Sequence, residues 1–69
     1  MMECPAIGDK LPLGKCCMTE ALIVVENKGS NLILYARPAD PEDPVQYVSI
    51  DSEEVGRNLL AVLQDWFRD

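Results

Sequence analysis

Two nearly unbroken apolar runs, Ala21-Leu22-Ile23-Val24-Val25 and Leu32-Ile33-Leu34-Tyr35-Ala36, flank the turn-like stretch Glu26-Asn27-Lys28-Gly29-Ser30-Asn31. A strand with one wet face alternates apolar and polar residues at period 2. Runs as continuous as these belong to a hairpin that is covered on both faces. One short helix covers only one face of a sheet. Either the first twenty residues cover the other face, or a second chain does.

The remaining elements follow from local chemistry. β-Branched content rises from Glu20, which predicts strands at about 20–26 and 31–37, joined through Lys28-Gly29-Ser30 with Asn27 or Gly29 taking the left-handed backbone. Pro38-Ala39-Asp40-Pro41-Glu42-Asp43-Pro44 holds three prolines and reads as a stiff, acidic loop. A third strand is expected over about 45–50. Residues 1–19, interrupted by Pro5, Gly8, Pro12 and Gly14, read as an irregular arm with a short strand near Cys16-Cys17-Met18.

The last segment has the pattern of an amphipathic helix over about 52–68. Asp51 or Ser52 is its expected cap, with Asp51 and Glu54 at capping-box spacing, and Glu53 and Glu54 lie at the positive end of its dipole. Val55, Leu59, Leu60, Val62, Leu63, Trp66 and Phe67 share one side. The expectation is a single α+β domain over 1–69: a three-stranded antiparallel meander with this helix packed on one face. On that reading Trp66 anchors the core, and Trp66→Ala costs about 3 to 5 kcal/mol.

With 69 residues the chain is small enough for stability to be marginal without a staple or a partner. Its net charge of −6 lies wholly in residues 38–69, which carry eight acids against two bases. That argues against direct binding to nucleic acid or anionic lipid, both of which need Lys and Arg clusters. Asp40, Glu42, Asp43, Glu53 and Glu54 form an acidic surface suited to a protein with a basic one. No run is long enough to span a bilayer, and Met1-Met2-Glu3-Cys4-Pro5 lacks the pattern of a signal peptide, so the expected location is cytoplasmic.

Catalytic chemistry finds little support. The chain has no histidine, no phosphate-binding glycine loop and no serine in a nucleophile setting, so no catalytic residue, no cofactor and no enzymatic activity is expected. Cys4, Cys16 and Cys17 are weak metal candidates, because three thiols with Asp9 as a potential fourth ligand make an incomplete zinc set. A Cys4 link to Cys16 or Cys17 is the other use for them, though buried free thiols are the simpler reading.

The function these features favour is a non-enzymatic protein-binding module, an adaptor or inhibitor, that forms a homodimer through its sheet. Leu22, Val24, Leu32 and Leu34 are assigned to one face and Ile23, Val25 and Ile33 to the other, with Tyr35 and Tyr47 as an aromatic contact patch. Joining of two sheets edge to edge is the second mode of assembly. The alternatives are an acidic mimic of nucleic acid that blocks a DNA- or RNA-binding protein, and a cysteine-based metal or redox protein.

Overall fold

The structure, a computed structural model, describes residues 2–68. Among these residues the order is β1 (Lys10–Lys15), β2 (Leu22–Asn27), β3 (Leu32–Arg37), β4 (Gln46–Ile50) and α1 (Glu53–Phe67). The strands form one antiparallel meander in sequence order, so β1 and β4 are its edges.

The fourth strand corrects the expected irregular arm. Pro12 and Gly14 read as breakers, yet proline is tolerated on an edge strand, and Gly14, at φ 145°, sits where the β1 register shifts against β2. The segment at Cys16-Cys17-Met18 is a turn rather than a strand. It closes through Glu20 N–H donating to the Cys16 carbonyl at 2.8 Å, with Glu20 itself left-handed at φ 60°.

Between β2 and β3 the turn forms as its residues dictate. Gly29 takes φ 91°, and its N–H donates to Asn27 Oδ1 at 2.8 Å. Asn27 also fastens the arm, because its Nδ2 donates to the Pro5 carbonyl at 2.9 Å and its own carbonyl accepts from Gly8 N–H at 2.7 Å. The arm therefore follows the turn end of the sheet. Ile7 remains 75% exposed, and the arm's hydrogen bonds run to Asn27 at the turn, with Cys4 beside the Leu32 and Ile50 end of the sheet.

Helix α1 departs furthest from expectation. It starts two residues after β4 with Ser52 as N-cap, but no side chain of Ser52 bonds to the first turn, and Asp51 forms no capping box. It meets the sheet only through that first turn, where a Cβ built on Gly56 would lie 3.5 Å from Ile50 Cγ2. That is ordinary contact, so close packing does not require the glycine. Beyond the first turn the helix leaves the sheet and buries none of its residues. The expectation of a helix packed on one sheet face is thus overturned. Trp66, 73% exposed, is not a core anchor within the chain.

Candidate interaction surface

The register decides what each sheet face presents. Asn27 pairs with Leu32 across the four-residue turn, so residues of opposite parity in β2 and β3 share a face. This corrects the expected grouping. Leu22 and Val24 lie with Ile33, Tyr35 and Tyr47, whereas Leu32 and Leu34 lie with Ile23 and Val25.

The first face is polar. Its rows are Lys10, Glu26, Ile33, Ser49, then Pro12, Val24, Tyr35, Tyr47, then Lys15, Leu22, Arg37. Tyr35 donates its hydroxyl to Glu26 Oε1 at 2.5 Å, Lys28 Nζ lies 3.4 Å from Glu26 Oε2, and Lys10 Nζ stands 5.8 Å from the Tyr35 ring centre. The Tyr35 hydrogen bond holds the Glu26 carboxyl below its ordinary value, opposed by desolvation and helped by Lys28. The same bond raises the Tyr35 hydroxyl. Tyr35 and Tyr47 do come together, with ring centres 6.3 Å apart. These long side chains lie over the sheet and leave Val24 and Glu26 each only 8% exposed.

The second face carries no charge. It presents Leu11, Val25, Leu34 and Val48 in one row, Ile23 and Ala36 in the next, and Leu32 with Ile50 in a third. No element of the chain covers these rows among the described residues. A shallow hollow of about 260 Å³ opens between β3 and β4, lined by Ile23, Leu34, Ala36, Gln46 and Val48 of this face together with Tyr35 and Tyr47. The stripe of α1, from Val55 to Phe67, is also bare, and in it Trp66 and Phe67 have ring centres 4.7 Å apart.

Exposure on this scale separates the chain from a compact monomer. Its accessible surface is 5894 Å², against about 4,300 Å² for a compact folded chain of 7.7 kDa. Its radius of gyration is 13.1 Å, where about 11 Å is usual for this length.

Compared with known proteins, the chain matches no protein family, no curated protein and no solved structure. What it does must therefore be read from these surfaces.

The other sequence candidates are dispersed. Cys4 lies 3.8 Å from Asn27 Nδ2 at one end of β2, while Cys16 bonds through its N–H to Ala21 at the other. Those ends are roughly 17 Å apart for a six-residue strand, so Cys4 cannot pair with Cys16 or Cys17 without rearrangement. All three are free thiols, and hydrogen bonding from the Thr19 hydroxyl and nearby backbone lowers the Cys16 thiol. Among the described residues no group of three His, Cys, Asp or Glu is placed to hold a metal ion, and no helix is long and apolar enough to cross a membrane.

The acidic residues gather at the two ends of β4. Asp40, Glu42 and Asp43 form the loop before it, where Asp40 Oδ1 accepts from Glu42 N–H at 3.0 Å. Glu53 and Glu54 open the helix after it, and Glu53 pairs with Arg57 at 2.7 Å. Sequence reasoning missed the apolar face as a unit, namely Ile23, Val25, Ala36, Val48, Ile50 and Leu11. The parity of the turn was the signal that could have found it.

Proposed function

We propose that the protein is a non-enzymatic protein-binding module that works as a homodimer, the helix of each copy lying over the charge-free sheet face of the other. The observation that carries this reading is the failure of the arm to cover that face. The polar face is roofed by its own long side chains, whereas the charge-free face is covered neither by the chain's arm nor by its helix among the described residues.

Area and charge agree. The surplus surface is on the order of 1,500 Å² per chain, and burying it in two copies gives about 3,000 Å² in total, within the range of obligate homodimers. A second copy carries the same net charge of −6, but neither the sheet face nor the stripe of α1 from Leu59 to Leu63 brings an ionised group to the contact. Edge pairing through β4 is the poorer arrangement. In either strand direction it sets the acidic groups of one copy against those of the other, and like charges in close apposition oppose association.

Native mass spectrometry under reducing conditions tests the dimer, and isotope-filtered NOE spectra of a mixed labelled and unlabelled dimer test its arrangement. The expected result is a two-chain mass with interchain contacts from Leu59, Leu63 and Trp66 to Ile23, Leu34 and Val48. A monomer at micromolar concentration overturns the reading. A dimer whose interchain contacts run only helix to helix overturns the crossed arrangement.

A further inference from the structure

The two edges of the sheet are built differently. β1 carries the features that discourage strand addition: Pro12, the register shift at Gly14, and Lys10 and Lys15. β4, Gln46-Tyr47-Val48-Ser49-Ile50, has no proline, no charged residue and no bulge, and it pairs with β3 alone. Among the described residues its backbone makes no hydrogen bond outside that pairing. Tyr47 is 69% and Val48 54% exposed, one on each sheet face. An unprotected edge of this kind is a template for a further strand, and the flanking side chains select which one.

Charge selects against a second copy and for a basic segment. Asp40, Glu42 and Asp43 precede β4, and Asp51, Glu53 and Glu54 follow it, so both ends of the edge are acidic. Arg57 is the nearby base on the helix, and it already pairs with Glu53.

We propose that the free edge of β4 takes up an extended segment of a partner protein as a fifth strand, a segment of alternating apolar residues flanked at both ends by Lys or Arg. The inference rests on the protein-binding half of the reading above and is independent of the dimer. Main-chain hydrogen bonds to β4 supply affinity. Apolar side chains of the segment lie beside Val48 on the charge-free face, the residues between them lie beside Tyr47 on the other, and its basic ends meet the two acidic groups.

The test uses the full chain and the peptide Lys-Arg-Val-Thr-Val-Thr-Val-Arg-Lys with blocked termini, followed by amide spectra and hydrogen exchange. Binding is expected to perturb and protect amides of residues 46–50. A peptide N-methylated at all five of its central residues keeps charge and side chains but has no central N–H to donate to β4 from either edge, and it should bind about tenfold more weakly or worse. A peptide with Glu in place of its bases should lose at least as much, and added salt should weaken the original. The triple variant Glu42→Gln, Asp43→Asn, Glu54→Gln, whose changes are exposed, should also weaken it.

Equal binding of the N-methylated peptide, perturbation of β1 in place of β4, or no binding at millimolar peptide each overturns the proposal. Native mass spectra of the same samples report the oligomeric state separately. A failed peptide with an intact dimer removes this inference alone, and a bound peptide on a monomer removes the dimer alone.

Discussion

The two faces of this sheet share strands, register and backbone, yet one is closed and the other is open. On the polar face Tyr35, Lys10 and Lys28 reach over their neighbours, and Val24 and Glu26 are buried although no second layer lies above them. On the apolar face Ile23, Val25 and Leu34 are half-buried and Val48 is 54% exposed, and no residue of this face among those described is fully buried. Long amphipathic side chains can roof a sheet from within, whereas branched aliphatic ones need another layer. The comparison ties burial to side-chain reach as much as to hydrophobicity.

The largest test of the comparison is a charge placed on either face. Leu34→Lys sits at the centre of the open face and is expected to weaken dimerisation by on the order of a thousandfold, because it buries an unpaired ammonium. Tyr47→Lys puts the same charge on the polar face and should leave the dimer intact. Analytical ultracentrifugation reads both, and equal effects would erase the distinction between the faces. The Leu34→Lys monomer should also lose helical ellipticity, since a 15-residue helix without packing is marginal in water.

Next in size is Trp66→Ala, which removes the largest exposed side chain of the helix stripe. With Trp66 bare in the single chain, the substitution should cost little in the monomer and about 2 to 4 kcal/mol in dimerisation, as central aromatic anchors do. Concentration-dependent melting separates the two costs. A loss that is the same at every protein concentration would mean that Trp66 stabilises its own chain.

How much of this was legible in the sequence differs from element to element. The hairpin was readable because Leu22 to Val25 and Leu32 to Ala36 are strongly β-forming and Gly29 marks the turn. The helix was readable from the spacing of Val55, Leu59, Leu63 and Trp66, but where it would lie was not. Periodicity reports that a face needs burial and is silent on which chain buries it. β1 was hidden because Pro12 and Gly14 mean different things in a loop and on a sheet edge. The faces were misassigned because their parity depends on a four-residue turn that changes every pairing when it gains or loses one residue. Of the candidate site, Leu32 and Leu34 lie on the open face, while Val24, Tyr35 and Tyr47 belong to the closed one.

The smallest expected effect concerns the roof of the polar face, and it appears in the pH dependence of stability. The Tyr35 bond lowers the native Glu26 carboxyl, so its contribution is present above the ordinary glutamate value of about 4.3 and fades as pH falls through the native one. Tyr35 itself is raised, so its contribution is complete below the ordinary tyrosine value of about 10 and fades as pH climbs through the native one. Tyr35→Phe keeps the ring over Val24 and removes the hydroxyl, which should flatten the loss of stability on the acid side relative to the parent chain. Denaturant midpoints measured between about pH 3 and 6 for both chains isolate this pair from the other carboxylates, which the two share. The dimer constant corrected for folding should respond equally to pH in both chains, since the open face has no group that titrates. Parallel acid limbs would mean that Tyr35 covers Glu26 without stabilising its charge, and the closed face would then owe its burial to packing alone.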